Sequence, residues 1–316
     1  MPEYKILITD GLAEAGVALL RSVGEVVSYP KVSAAELLEV LPGYHVLIVR
    51  SRTKVTPAVI EAGKQLKVIG RAGVGVDNIA VQVAVERGIT VVNSPLAATN
   101  AVAEHTLGLM LALARQLPRA DATMKIEKWE KSAFIGSELN GKTLGLAGVG
   151  RIGTQVAVLA RAFGMKVIGF DPFIGDEELQ RRGVTPGSFG GVLESADYLS
   201  LHLPLTDETR GLISQAELSM MKKGARLVCT ARGGVVDEMA LIAVLDSGHL
   251  AGAALDVFAS EPPAPGSIAE HPKVIATPHI GAQTAEAQTR AGIGIAEEVV
   301  AVLQGKEPRW RVLKND

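Results

Sequence analysis

The stretch KTLGLAGVGRIGTQVA, residues 142–157, is the most informative part of this chain. Its glycines Gly148, Gly150 and Gly153 have the G-x-G-x-x-G spacing, which alone is a weak signal because glycine turns also serve purely structural purposes. Here the preceding KTLGLAG is typical of a buried strand, and RIGTQVAVLARAFG has apolar residues at helical spacing. The next strand, KVIGFD, ends at Asp171, 18 residues after Gly153. This context predicts a strand–turn–helix unit that binds a dinucleotide.

Each part of this unit has a physical role. Gly148 permits the tight turn, Gly150 lets the backbone approach a pyrophosphate, and Gly153 allows close packing of helix on strand. The helix N-terminus at Arg151 and Ile152 would present backbone N–H groups and the positive end of the helix dipole to the phosphates, and Arg151 adds a cation. Asp171 would accept hydrogen bonds from the adenosine ribose and repel a 2′-phosphate, so NAD is favoured over NADP.

Composition limits the class of protein. The 316 residues are 47% hydrophobic and include 34 glycines, which suits two α/β domains. The formal net charge of −2 argues against nucleic-acid binding, which needs a basic surface. A single cysteine, Cys229, excludes an intramolecular disulfide and fits a cytoplasmic protein. We find no signal peptide and no apolar stretch near the ~20 residues that a membrane span needs, so we expect a small-molecule partner and no membrane.

The order of elements predicts the architecture. Strand-like runs without polar alternation fill the first 95 residues, and a second series begins at Lys142. Such strands are buried on both faces, as in parallel sheets. We therefore predict an α/β chain of two Rossmann-like or flavodoxin-like parallel-sheet domains. A dinucleotide-binding domain, residues 97–283, would be inserted into a discontinuous substrate-binding domain, residues 1–96 and 284–316, with the two crossings forming a hinge.

Polar residues at strand ends are candidates for the chemistry, since ligands bind at the carboxyl ends of parallel strands. His202 and His279 end two apolar strands, Arg232 follows VCTA, and Glu261 follows LDVFAS. Taken singly, Arg232 could be a salt-bridged scaffold residue and Glu261 a solvated acid. Together they form a set in which an imidazole exchanges a proton with a hydroxyl and a guanidinium binds a carboxylate. This chemistry requires no metal.

Several long motifs carry a family resemblance. NGKTLGLAGVGRIG, CTARGGVVDE, ALDVFASEPP and TPHIGAQT resemble, in order and spacing, the D-isomer-specific 2-hydroxyacid dehydrogenases. The resemblance implies that His279 is the general acid/base, Glu261 its carboxylate partner and Arg232 the substrate-binding cation. It also implies that Asp256 binds the nicotinamide carboxamide. Further cofactor contacts would come from Val74, His202, Leu203, Pro204, Thr230, Ala231, His279 and Gly281.

Within that family, IVRSRTKVT, VIGRAGVGVDNI and MKIEKWEKSAFIGSELNGKTLG look particularly like the D-3-phosphoglycerate dehydrogenases. The resemblance implies oxidation of D-3-phosphoglycerate to 3-phosphohydroxypyruvate, the first step of phosphorylated serine biosynthesis. The backbone of Gly73, Val74 and Gly75 would cradle the substrate carboxylate. Arg50, Ser51 and Arg52 either bind the phosphate or form a solvated strand end. One position departs from the pattern, because Ala98 stands where relatives carry Asn.

Other interpretations remain open. A glyoxylate or hydroxypyruvate reductase, or another D-2-hydroxyacid dehydrogenase, would use the same residues, and a non-catalytic NAD(H)-sensing protein would use the same loop. The sequence stops soon after the final helix, so we expect a short form without the C-terminal regulatory domain of longer relatives. The resemblance also implies a homodimer or tetramer formed through the NAD-binding domain, with contacts near residues 102–114.

Overall fold

The computed structural model describes residues 4–313, and its contacts divide the chain into two compact units. The first unit combines Met1–Ala98 with Gln283–Asp316, and the second is Thr99–Ala282. Each unit has its own parallel sheet and its own hydrophobic core. The predicted fold class, two parallel-sheet α/β regions, is confirmed.

The first unit is a five-stranded sheet in the order β2-β1-β3-β4-β5 with helices on its faces. Its elements are β1 (Tyr4–Ile8), α1 (Glu14–Arg21), β2 (Gly24–Ser28), α2 (Ala34–Val40), β3 (Val46–Val49), α3 (Pro57–Ala62), β4 (Val68–Arg71), α4 (Val81–Glu86), β5 (Thr90–Asn93) and, from the end of the chain, α12 (Ala285–Leu303).

Burial and capping explain these elements. All four residues of β3, VLIV, are buried, as expected for a central parallel strand covered on both faces. Ser33 and Glu36 form a capping box that starts α2, and Thr284 caps α12. The final helix packs on α1, β4 and β5, so the end of the chain completes the core of the first unit.

The second unit is a seven-stranded sheet in the order β12-β11-β10-β9-β6-β7-β8. Its elements are α5 (Thr99–Arg115), α6 (Leu117–Lys125), β6 (Thr143–Ala147), α7 (Arg151–Ala162), β7 (Lys166–Phe170), α8 (Asp176–Arg181), β8 (Thr185–Pro186), α9 (Phe189–Ser195), β9 (Tyr198–Leu201), α10 (Gln215–Met220), β10 (Arg226–Cys229), α11 (Glu238–Asp246), β11 (Gly252–Leu255) and β12 (Val274–Ala276).

The strand order of the second unit locates its binding edge. The chain builds outward from β6 through β7 to β8 and then returns to place β9 on the other side of β6. The point where the strand order reverses is the usual ligand crevice of such sheets. The loops that begin at Gly148 and at His202 leave β6 and β9 at this point. The helix α5 packs on α7 and on strands β10, β11 and β12.

Two further observations concern the whole described chain. Within residues 4–313, none of the helices has the length and apolar character needed to cross a bilayer. In the same range, no group of three or more His, Cys, Asp or Glu side chains is arranged to hold a metal ion.

Candidate active site

The glycine loop is built by close backbone approaches. Gly148 has a φ of +88°, and a Cβ there would lie 2.5 Å from the carbonyl oxygen of His202. A Cβ on Gly153 would lie 2.3 Å from the carbonyl oxygen of Gly148. Both positions therefore require glycine for the loop's own packing. A Cβ on Gly150, in contrast, would meet nothing within 4 Å, so the space above Gly150 is open to a ligand.

The start of α7 lies directly after Gly150 and carries backbone N–H donors. Gly150 is the N-cap, Arg151 and Ile152 are the first two helical residues, and no side chain among residues 4–313 forms a capping hydrogen bond at this end. The first N–H groups of a helix have no partner inside the helix and attract anions. An open glycine beside an uncapped helix start fits a dinucleotide pyrophosphate.

Asp171 lies beside the loop in a fixed orientation. Its Oδ2 accepts a hydrogen bond of 2.9 Å from the amide of Val149, and its Oδ1 accepts one of 3.0 Å from the amide of Phe173. Arg182 donates to the carbonyl of Val149 at 2.7 Å and pairs with Glu178. Sequence reasoning missed this arginine near the loop because the helix α8 separates it from Asp171 along the chain.

His202 follows directly after β9 and is partly buried. Its Nε2 lies 2.9 Å from Ser200 Oγ, and its buried Nδ1 has no hydrogen-bond partner within residues 4–313. Burial lowers the pKa of His202 to about 4, so the imidazole is neutral near pH 7. Leu203 continues from it and packs against Gly148. Pro204 follows, and its carbonyl accepts a hydrogen bond from Thr209.

His279 and Glu261 are brought together as a pair. The Nδ1 of His279 lies 2.8 Å from Oε2 of Glu261, and the other carboxylate oxygen accepts a hydrogen bond of 3.2 Å from the amide of Phe258. Their side chains remain 46% and 39% exposed, so solutes can reach the imidazole. His279 also has a φ of +52°, a conformation that is unusual outside glycine and is concentrated at functional sites.

Arg232 lies in a loop that touches the loop of Glu261. A Cβ on the next residue, Gly233, would lie only 1.7 Å from the carbonyl oxygen of Phe258, so glycine is required for this approach. Because Glu261 also bonds to Phe258, the two loops meet at that residue. Arg232 Nη1 donates a hydrogen bond of 2.7 Å to the carbonyl of Ala231, which fixes part of the guanidinium.

Two predicted cofactor contacts, Thr230 and Asp256, have partners inside the second unit. Thr106 donates to the carbonyl of Val102, so Thr230 is the donor in the 2.9 Å contact between the two threonine hydroxyls. Asp256, only 1% exposed, accepts hydrogen bonds from Thr277 Oγ1 and from the amides of Ile280 and Gly281.

The predicted phosphate ligands of the first unit do not share a cavity. Arg50 lines a cavity of about 200 Å³, where its guanidinium lies 3.5 Å from Gln283 and from Gln288. Arg52 lines a different cavity of about 470 Å³. Its guanidinium is bound to Asp10 and to two backbone carbonyls. Ser51 is exposed.

The predicted carboxylate cradle, Gly73–Gly75, is held by hydrogen bonds from the last residue of β5 and from the residue that follows it. Asn93 Nδ2 donates to the carbonyl of Val74 at 2.7 Å, and the amide of Ser94 donates to the carbonyl of Gly73 at 2.9 Å. Gly73 itself has a φ of +155°, and a Cβ there would overlap the guanidinium of Arg71. Glycine is therefore favoured at position 73 by its backbone conformation.

Comparison with known proteins now adds to this geometry. Residues 107–281 match the model of the D-isomer specific 2-hydroxyacid dehydrogenase NAD-binding domain. The chain is 49% identical over 303 residues to the D-3-phosphoglycerate dehydrogenase of Methanocaldococcus jannaschii, covering 96% of this chain and 58% of that protein. The chain spans about half the length of the curated relatives it matches.

Solved structures of similar fold match this chain along nearly its whole length. The TT0316 protein of Thermus thermophilus is similar with a TM-score of 0.88 and 37% identity, over 98% of this chain and 100% of that one. A glyoxylate reductase from Paecilomyes thermophila has a TM-score of 0.90 and 31% identity, over 100% of both chains. Because the family's NAD-binding-domain model matches more than half of the chain, the chain belongs to the D-isomer specific 2-hydroxyacid dehydrogenases.

Proposed function

We propose that this chain is an NAD-dependent D-3-phosphoglycerate dehydrogenase that forms 3-phosphohydroxypyruvate. The observation that carries the proposal is the 2.8 Å contact between His279 and Glu261, in the unit that also holds the glycine loop. An imidazole oriented by a carboxylate is suited to proton exchange with a substrate hydroxyl. The names and identities of the curated relatives support the choice of substrate.

The proposed mechanism assigns a role to each polar side chain. Bound NAD supplies the acceptor for the hydride that leaves the α-carbon. His279 takes the hydroxyl proton at Nε2, because Nδ1 is held by Glu261, and the carboxylate stabilises the imidazolium that forms. Arg232 binds the substrate carboxylate with its planar guanidinium. In the reverse direction, His279 returns the proton to the keto oxygen.

The proposal extends to the rest of the predicted site. We assign substrate binding to residues 1–96 and 284–316 and NAD binding to residues 97–283. Asp171 would hold the adenosine ribose, and Asp256 the carboxamide. In the first unit, Arg50 is the better candidate for the phosphate, because the guanidinium of Arg52 is already bound to Asp10.

A substrate panel tests this function. We expect the wild-type protein to oxidise D-3-phosphoglycerate with NAD in preference to D-glycerate, D-lactate and glycolate. His279→Asn should lower kcat by roughly 10²–10⁴-fold, the usual contribution of a positioned acid/base, while NADH titration by fluorescence shows binding within about threefold of wild type. A His279→Asn protein with nearly normal kcat would contradict the proposed role.

One observation favours a second candidate, a glyoxylate or hydroxypyruvate reductase. Ala98 is buried at the position where the resemblance leads us to expect Asn, so this position offers no amide to a phosphorylated substrate. The glyoxylate reductase of matching fold shows that the same architecture occurs with a smaller substrate. Faster turnover of glyoxylate with NADH than of 3-phosphohydroxypyruvate would select this candidate.

We also propose a cytoplasmic homodimer or tetramer formed through the NAD-binding unit. The segment that follows α5 carries several apolar side chains that are more than half exposed: Leu117, Met124, Ile126, Trp129 and Ile135. Large exposed apolar side chains concentrated in one segment of the chain favour an interaction site there. Most of α5 is buried within its own unit, so the segment 117–135 is the stronger candidate for the subunit contact.

A further inference from the structure

The left-handed backbone conformation of His279 must be stabilised by neighbouring groups. A non-glycine residue at a φ of +52° persists only where its surroundings hold it in place. The two peptide groups that follow it are both anchored to one carboxylate. The amide of Ile280 donates to Asp256 Oδ1 at 2.9 Å, and the amide of Gly281 donates to Oδ2 at 2.8 Å. Asp256 thus holds, through two hydrogen bonds, the turn that contains His279.

The carboxylate of Asp256 is itself fixed from behind by two further side chains. Thr277 Oγ1 donates to Oδ1 at 2.6 Å, and His105 Nε2 lies 3.3 Å from the same oxygen. Burial of Asp256 acts to raise its pKa, but these hydrogen bonds outweigh burial and hold the pKa below its ordinary value. The carboxylate therefore stays charged, which strengthens the hydrogen bonds that it accepts from the two amides.

The hydrogen-bond directions fix the protonation of His105. Thr277 has one hydroxyl proton and gives it to Asp256. Its oxygen can therefore only accept in the 3.2 Å contact with His105 Nε2. Nε2 must carry a proton, which it shares between Thr277 and Asp256. Gly281 packs on the same helical turn of α5, since a Cβ there would lie 3.5 Å from Val102 and 3.7 Å from His105.

We infer that His105 and Thr277 are positioning residues, which hold the Asp256 carboxylate where it anchors the Ile280 and Gly281 amides and so fixes the His279 ring. The inference rests on the proposed role of His279. It links the helix α5 to the reacting imidazole by a chain of three polar side chains, none of which needs to touch the substrate.

The test uses paired variants of the full chain. Thr277→Val and His105→Leu remove the hydrogen bonds, whereas Thr277→Ser and His105→Gln keep a donor at each site. Thr143→Val, the same change at the amino end of β6, is the control. Amide hydrogen exchange of Ile280 and Gly281 is measured without substrate or cofactor, and kcat and KM are measured with D-3-phosphoglycerate.

We expect Thr277→Val and His105→Leu to speed exchange of both amides and to lower kcat by roughly tenfold or more, since small displacements of a reacting group are costly. KM should stay within about threefold, and the Ser, Gln and Thr143 variants should behave like wild type. Unchanged exchange in Thr277→Val, or an equal loss in Thr277→Ser, would overturn the inference. If no variant, wild type included, turns over this substrate, the substrate assignment fails while the exchange result still decides the inference.

Discussion

At the scale of single residues, His202 shows how burial sets a charge. The imidazole occupies the end of β9 with one hydrogen bond, to Ser200, and its pKa falls from an ordinary 6.5 to about 4 because burial disfavours the charged form. Because the ring is neutral, no fixed positive charge lies beside the glycine loop, where β6 and β9 end. The lowered pKa also makes the folded protein sensitive to acid.

The consequence for stability has a definite sign. Between pH 6.5 and about 4 the unfolded chain binds a proton at His202 and the folded chain does not, so the free energy of unfolding decreases as the pH falls. The expected loss is about 3 kcal/mol over this window. Urea unfolding at several pH values should show it in wild type and a clearly smaller slope in His202→Gln.

The comparison of the two proteins isolates His202, because His45, whose pKa burial also lowers, is present in both and contributes to both curves. Asp10, Asp197 and Asp256 have lowered pKa values, so their contribution is present above their unfolded pKa of about 3.9 and is lost at lower pH. Parallel stability curves for wild type and His202→Gln between pH 6.5 and 4.5 would contradict the lowered pKa of His202.

The two neighbouring arginines show a limit of sequence reasoning at this scale. In the sequence VRSRTK, Arg50 and Arg52 look like equivalent cations, but in the structure the guanidinium of Arg52 forms an ion pair with Asp10. That carboxylate also accepts from the amides of Arg50 and Thr53, and nothing in the local sequence indicates a partner 42 positions away. The pairing of Glu261 with His279 was predictable because the family resemblance supplied it.

The arginine pair therefore yields a matched experiment. Arg50→Gln should raise the KM for D-3-phosphoglycerate at least tenfold, as expected for loss of a charge-assisted contact, with much less effect on D-glycerate. Arg52→Gln should instead lower the melting temperature, because the buried carboxylate of Asp10 loses its charged partner. Steady-state kinetics and thermal unfolding of both variants check this division, and a phosphate-specific KM effect confined to Arg52→Gln would reverse it.

At the scale of elements, the glycine loop separates folding from binding. Gly153 and Gly148 are needed because backbone oxygens lie where a Cβ would be, whereas Gly150 faces open space. A sequence pattern treats the three glycines alike. Only the coordinates distinguish the two that serve the fold from the one that leaves room for a ligand.

Alanine substitutions test that difference. Gly153→Ala should destabilise the protein by about 1–3 kcal/mol through overpacking. Gly150→Ala should change stability by no more than roughly 0.5 kcal/mol but weaken NADH binding at least tenfold, because the new methyl group fills the open space. Thermal unfolding and calorimetric titration measure the two effects. Equal stability losses in both variants would show that Gly150 is also structural.

The elements themselves were largely predictable. Apolar runs such as HVLIVRS and LKVIGRAG correspond to β3 and β4, because strands buried on both faces need continuous apolar residues. The strand β2 was not predicted, since GEVVS is short and half polar. The helix α6 was missed because none of its residues is buried, so it has no apolar stripe that periodicity could reveal.

At the scale of the whole molecule, the exposed apolar segment after α5 bears on assembly. Trp129 and Ile135 are 80% and 85% exposed, and covering such side chains in a subunit contact stabilises an oligomer by roughly 1.5–3 kcal/mol each. Trp129→Ser with Ile135→Ser should therefore shift the protein toward the monomer in sedimentation-velocity runs. Leu313→Ser, at an exposed residue elsewhere in the chain, is the control. An unchanged distribution would place the subunit contact on another surface.

The split first unit also has a consequence for biosynthesis. The core of its sheet is incomplete until α12 is synthesised. This helix leaves the ribosome only after the roughly 180 residues of the second unit. At typical elongation rates that delay is about 10–40 s, during which the apolar face that Ile295 and Val299 later cover stays open. The inserted unit can fold first, and the nascent segment Met1–Ala98 is a natural client for chaperones until the last helix is synthesised.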